Sequence, residues 1–169
     1  MRIFLIGFMG AGKTHWGKQV ANRMGLPFYD LDELVVAHEG KSIADIFTEN
    51  GEEYFRMCEK QMLEELVEKE DSMIISCGGG TPCFFNNIDF MKRYGIVVWL
   101  NTQVEVILQR LMKERMHRPL LKDIKDEDLR NHIIRKLNER RMYYEQADVI
   151  IDKEDTISMN DFIQTVLHA

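Results

Sequence analysis

The sequence predicts a three-layer α/β fold, a five-stranded parallel sheet with helices on both faces, and two observations predict it. Short apolar runs alternate with segments of helical periodicity along the whole chain, the arrangement in which crossover helices link parallel strands. A glycine-rich octapeptide, Gly7-Phe8-Met9-Gly10-Ala11-Gly12-Lys13-Thr14, joins the first apolar run to the first helical pattern. The 169 residues contain no repeat, linker or low-complexity stretch. They suffice for one core, so residues 1–169 are expected to form a single domain.

The elements follow in order. Ile3–Ile6 is a continuous apolar run, as in a strand buried on both faces. Trp16, Val20 and Met24 recur at helical spacing, and Gly25 is the expected stop. Pro27–Asp30 reads as a second strand and Leu31–His38 and Ser42–Asn50 as short helices, with Ser42 and Asp45 placed as an N-cap pair. A longer helix is expected over about Glu52–Lys69, and Ser72–Ser76 is a third strand, ended by Gly78–Gly80. Ile96–Leu100 is the clearest buried strand. Val104, Ile107, Leu108 and Leu111 then line one face of a helix. Lys113–Lys125 is charged, holds Pro119 and lacks periodicity; Asp126–Gln146 returns to helix, Val149–Ile151 is a last strand and Ile157–Leu167 a last helix.

Composition removes several function classes. With 22 Lys+Arg against 28 Asp+Glu, the net charge of −6 argues against a general nucleic-acid coat, which needs clustered positive charge. Cys58, Cys77 and Cys83 cannot form a closed disulfide set and show no metal-ligand spacing, which points to reduced thiols and a cytoplasmic location. No apolar run reaches membrane-span length, and the N-terminus lacks a signal-peptide cleavage pattern. The eleven methionines read as core filler.

The octapeptide matches G-x-x-x-x-G-K-[ST] and leaves a strand to enter a helix, the context a phosphate-binding P-loop requires. Glycines let backbone N–H groups curl around phosphates, and the helix N-terminus adds partial positive charge. Lys13 supplies a point charge near the β/γ-phosphates and Thr14 a hydroxyl for Mg²⁺. A nucleotide follows, but neither the reaction nor the acceptor.

Asp30 and Asp32 are expected to end the second strand with both carboxylates on one side. One could order Mg²⁺ and the other accept a proton from the acceptor hydroxyl; a turn or helix cap is the alternative. In the long helix, with Arg56 at 0°, Leu63, Leu66 and Val67 fall at about −20°, −80° and +20°, and Glu59 at about −60°. Arg56 and Glu59 therefore sit on the inward stripe. A buried arginine needs a partner, Glu59 at i+3 can provide it, and the remaining donors suit a ligand carboxylate. In the 126–146 helix, with Leu129 at 0°, Ile133, Leu137 and Tyr144 lie at about 40°, 80° and 60°. Arg140 falls at about 20°, inside that stripe, and Arg141 at about 120°, at its edge. Gly78, Gly79 and Gly80 would let a ligand touch backbone, whereas Cys77 reads as inert filler. Arg118, in the charged 113–125 segment, could meet the transferring phosphate when that segment closes; His117 reads as loop surface.

Taken together, GFMGAGKT, DLD, GEEYFRMCE, GGG, RPLL and RRMYYEQAD, in this order over nearly the whole chain, resemble the shikimate kinase family, small P-loop kinases of the chorismate pathway. The resemblance implies a sheet order of 2-3-1-4-5 and transfer of the γ-phosphoryl group of ATP to the 3-hydroxyl of shikimate. It implies ATP contacts from Gly10, Ala11, Gly12, Lys13, Thr14, His15 and Arg118, with Mg²⁺ at Thr14 and Asp30. Asp32, Arg56, Gly78, Gly79, Gly80 and Arg140 would bind shikimate, and Lys13, Asp32 and Arg118 would act in catalysis. The acceptor segment is expected over about 31–60 and a lid over about 112–123, with either Arg110 or Arg115 against adenine. ATP and shikimate are the expected partners, with no nucleic acid or membrane, and the chain is expected to be a monomer. His15 and Trp16 depart from the family's usual small hydroxyl and aliphatic residues, and Met142 stands where the family commonly has Pro. The rivals are a kinase for another small hydroxylated acid, such as gluconate, and a regulatory module that binds ATP without transferring phosphate.

Overall fold

In a computed structural model, which describes residues 1–115, 121–152 and 156–169, the strands are β1 (Arg2–Ile6), β2 (Phe28–Asp30), β3 (Met73–Ser76), β4 (Ile96–Leu100) and β5 (Val149–Ile151). They form one sheet in the order β2-β3-β1-β4-β5, every pairing parallel. The expected order holds. The helices are α1 (Lys13–Met24), α2 (Leu31–Glu39), α3 (Ile43–Lys69), α4 (Asn87–Tyr94), α5 (Val104–Glu114), α6 (Asp126–Tyr144) and α7 (Met159–Leu167).

Strand periodicity divides the core into two layers. Phe4 and Ile6 of β1 and Val97 and Trp99 of β4 point to the face covered by α3, α4 and α6. Ile3, Leu5, Val98 and Leu100 point to the opposite face, against α1 and α7, where Trp16 stacks on Phe162 with ring centroids 4.7 Å apart. A third cluster joins α5 to α6: Ile107, Leu111, Leu129 and Ile133 close around Phe8 of the glycine-rich loop. That cluster anchors the loop from above while the sheet anchors it from below. No helix among the described residues is long and apolar enough to cross a membrane.

Beyond shifts of one or two residues at element ends, four features differ from expectation. The two helices predicted for 42–50 and 52–69 run together as α3, broken only at Gly51, whose φ of 86° and ψ of 171° are not helical. The last helix begins at Met159 because Ser158 caps it, its hydroxyl accepting from the Asp161 N–H. Helix α4 was not predicted: its eight residues carry only Ile88 and Met91 as buried apolar groups, too few for a periodic signal. Finally, Asp30 and Asp32 do not end the strand together: Asp32 lies in the helix expected over Leu31–His38. The second strand stops at Asp30, whose carboxylate accepts from the N–H groups of Asp32 and Glu33 and so starts α2, the cap geometry aspartate favours.

Candidate active site

The site lies at the C-terminal ends of the strands, where α/β sheets place ligands. Pairing of Leu5 with Ser76 brings the loop after β1 level with the loop after β3. Between them and the start of α2 opens a cavity of about 540 Å³, lined by loop residues Gly10, Gly12, Lys13 and Thr14 and, opposite, by Asp30, Asp32, Ser76, Gly78 and Gly79. His15 reaches its rim from an exposed position, within 2.6 Å of the Gln19 amide, and Ala11 is buried beneath the loop.

Lys13 begins α1, and its ammonium donates to the carbonyls of Gly7 at 2.7 Å and Phe8 at 2.9 Å. Gly12 precedes it at a φ of 94° with no side chain capping the helix. The first-turn N–H groups are thus free of side-chain caps at the cavity wall, a ready anion cradle. The Thr14 hydroxyl donates to the Asp30 carboxylate at 2.9 Å and lies 3.4 Å from the Ser76 hydroxyl. These are hard oxygen donors beside the cradle, the type that holds Mg²⁺ together with phosphate oxygens and water.

Asp32 reaches the same cavity from the first turn of α2. Burial pushes its carboxyl up to about 6, reinforced by the charges of Glu59 and Asp30 and opposed by Lys13 and Arg56. That value is suited to exchanging a proton near neutrality.

Arg56 and Glu59 are both interior, 7% and 0% exposed, as the helical wheel requires. Nη1 of Arg56 donates to Glu59 at 3.0 Å, and Nε and Nη2 donate to Glu52. A guanidinium has five N–H groups, so one hydrogen on each terminal nitrogen lacks a partner among the described residues. The other Glu59 oxygen accepts from the Thr81 hydroxyl at 2.7 Å. Burial pushes the Glu59 carboxyl up, against the pull of Arg56, Thr81 and Arg140.

The glycine triplet is the hub. A Cβ on Gly78 would lie 3.2 Å from the Asp32 carboxylate and 2.8 Å from that of Glu59; on Gly79, 2.9 Å from Nη1 of Arg140; and on Gly80, 2.6 Å from Cζ of Arg56. Asp32, Arg56 and Arg140, which come from three helices, therefore converge on three consecutive residues of one loop. Arg140 is half-buried, its guanidinium 5.5 Å from the Phe8 ring centroid. Arg141 instead pairs with Glu145 and borders a separate recess with Trp99 and Asp152. Arg56 opens on a recess of about 360 Å³ shared with Glu52 and Phe84. Arg110 donates to the Gly10 carbonyl and borders the main cavity, whereas Arg115 is engaged by Asp126 and the Leu121 carbonyl. Arg118 lies outside the described residues.

Sequence reasoning missed four contributors. Ser76 is the polar last residue of a buried strand, a signal open to reading. Thr81, Phe8 and Phe84 gave none, because each acts on a residue distant in sequence. Cys77 is buried and its thiol is pushed far up by burial, in keeping with inert packing.

A family profile described as "Shikimate kinase" matches residues 9–169. A shikimate kinase of Azobacteroides pseudotrichonymphae is 40% identical over 98% of this chain and 97% of its own length. The crystal structure of shikimate kinase from Bacteroides thetaiotaomicron matches with a TM-score of 0.89 at 39% identity, over 99% of this chain and 95% of that one. Shikimate kinase from Acinetobacter baumannii in complex with shikimate matches with a TM-score of 0.86 at 34% identity, over 99% and 90%. Phosphate cradle, glycine hub and full-length similarity agree: the chain belongs to the shikimate kinase family, kinases that use ATP as phosphoryl donor.

Proposed function

We propose that this chain moves the γ-phosphoryl group of ATP to the 3-hydroxyl of shikimate, forming shikimate 3-phosphate and ADP on the route to aromatic amino acids. The observation that carries this reading is the convergence of Asp32, Arg56 and Arg140 on Gly78–Gly80, beside a cavity walled by the P-loop. The two guanidinium groups suit a carboxylate, and the Asp32 carboxyl, which feels the charges of Lys13 and Arg56, suits a hydroxyl.

The tasks then divide among the residues. The backbone of Gly10–Thr14 and the start of α1 hold the phosphates, with His15 at their edge. Lys13 exchanges the carbonyls of Gly7 and Phe8 for β/γ-phosphate oxygens. Thr14 and Asp30 would hold Mg²⁺, which when bound neutralises phosphate charge. Arg56 and Arg140 grip the acceptor carboxylate, and the glycines admit its ring. Asp32 accepts the hydroxyl proton as the oxygen bonds to γ-phosphorus and the bond from phosphorus to the ADP oxygen breaks. Arg110 is assigned to adenine, supported by its place on the cavity rim. Residues 112–123 are kept as the lid and Arg118 as its contribution to the transferring phosphate. The support is that α5 carries Arg110, just before that segment, and Glu114, at its start, to the cavity rim. A single domain acting as a cytoplasmic monomer completes the reading, and the free state of all three cysteines supports that compartment.

The test is a coupled ADP-release assay with shikimate and gluconate side by side. Turnover that depends on shikimate and is lost in Asp32→Ala is expected. ADP release indifferent to shikimate would reject the acceptor, and nucleotide binding without product would leave only a regulatory ATP module.

A further inference from the structure

We propose that Phe84 is a positioning residue for the acceptor's carboxylate, holding the Arg56 guanidinium in the plane that binds it. The inference rests on the reading of Arg56 given above and extends it to a residue outside the ligand contacts.

The turn that follows the glycine triplet grips the Arg56–Glu59 pair at several points. Gly80 packs its backbone against the guanidinium. Thr81 bonds the free oxygen of Glu59. Phe84 lays its ring 4.5 Å from Cζ of Arg56, nearer than Phe55 at 5.1 Å. Glu59 and Glu52 hold the guanidinium by its edges. In-plane hydrogen bonds alone leave a planar group free to tilt, and an aromatic face supplies attraction normal to that plane.

The backbone shows that the ring is placed deliberately. Phe85 and Asn86, directly after Phe84, both adopt left-handed conformations, with φ of 49° and 56°. Asparagine tolerates this region and Asn86 there is the N-cap residue of α4, but a bulky residue such as Phe85 does not adopt it without strain. Phe85 is itself exposed, so its own packing does not compensate. The turn is then tied back on itself, because the buried Asn87 amide donates to the Thr81 carbonyl at 3.0 Å. Local strain that persists beside a ligand group is the signature of a conformation required there. What this one delivers is the Phe84 ring over Arg56.

The experiment compares Phe84→Leu, Phe84→Tyr, Arg56→Lys and the Phe84→Leu/Arg56→Lys double variant. Leucine keeps apolar bulk and removes the π face; tyrosine keeps the face. Phe84→Leu should raise the shikimate KM about three- to tenfold, with kcat and the ATP KM within about twofold of the parent. Phe84→Tyr should restore the parent KM. In the Arg56→Lys background, Phe84→Leu should add nothing further, because the planar group it positions is gone. An unchanged shikimate KM in Phe84→Leu, or an equal effect with and without Arg56, would overturn the inference. So would a parallel loss of kcat and melting temperature not rescued by tyrosine. Arg56→Lys with a parent-like shikimate KM would instead overturn the underlying carboxylate reading, and is told apart because it needs no Phe84 variant.

Discussion

Arg140 and Arg141 are adjacent in the chain and serve different surfaces. Arg140 lies over the Phe8 ring, with Nη1 against the Gly79 backbone. Arg141 is tied to Glu145 by a 2.7 Å bond, with its side chain well exposed. A helix turns about 100° per residue, so one of two neighbours can face the glycine hub while the other faces outward.

Their substitution should therefore separate cleanly. Charge-assisted bonds contribute about 1.5–3 kcal/mol, so Arg140→Ala should raise the shikimate KM about ten- to hundredfold. Arg141→Ala should stay within about twofold and lose only a surface ion pair. Steady-state kinetics with varied shikimate checks both, and a reversed order would move the carboxylate contact to Arg141.

The raised Asp32 carboxyl links stability to pH. In the protein without nucleotide or metal, a pKa moved from 3.8 to about 6 means that ionised Asp32 opposes folding by about 3 kcal/mol, at 1.36 kcal/mol per pH unit. That penalty is absent below the unfolded-state value, grows as pH rises from 3.8 to 6, and is complete above 6. Asp32→Asn should be inactive, and more stable than the parent by up to about 3 kcal/mol at pH 8. The gap should close towards pH 4. Urea titrations at the two pH values test this, and a gap independent of pH would contradict it.

Asp30 has two separable roles, capping α2 and offering a carboxylate oxygen beside Thr14. Asparagine caps helices about as well as aspartate, so Asp30→Asn should change stability by less than about 0.5 kcal/mol. Loss of the charge should raise the Mg²⁺ concentration for half-maximal rate about tenfold, the range found when a group supporting a metal is altered. An unchanged Mg²⁺ titration would take Asp30 out of the metal's surroundings.

Two glycine-to-alanine changes should behave differently. At Gly80 the new Cβ would stand 2.6 Å from Cζ of Arg56, a group held by Glu59 and Glu52 and unable to retreat freely. Gly80→Ala should raise the shikimate KM by about tenfold or more, with the ATP KM unchanged. At Gly25 nothing lies within 4 Å, but φ is +66°. Gly25→Ala should cost about 1 kcal/mol of stability with no kinetic change. Kinetics and thermal melts of the two variants provide the comparison.

Much of this site was legible in the chain. Alternating patterns announced the sheet, and the octapeptide announced the phosphate cradle. Helical geometry alone turned Arg56, Glu59 and Arg140 inward, where they are found. What escaped was of two kinds. Element ends depend on single capping bonds: the strand ended at Asp30 as expected, but the Asp30 cap puts Asp32 in the first turn of a helix, so the two carboxylates reach the cavity without the extended-chain alternation expected to align them. The other kind is contact between distant segments. Thr81 and Glu59 are 22 positions apart, and no periodicity or spacing encodes their meeting. Phe84 and Arg56 pose the same difficulty.

Because β1 and β3 are hydrogen-bonded neighbours, with the Cys77 N–H donating to the Leu5 carbonyl at 3.0 Å, the two glycine-bearing loops leave adjacent rungs of one ladder. Adjacent strands lie about 4.8 Å apart. Donor and acceptor compartments are thus spaced by main-chain pairing, which side-chain replacement cannot stretch. Substitutions in helices α2, α3 and α6 can change the groups that face the acceptor, while the spacing between the roots of the two loops stays that of the sheet.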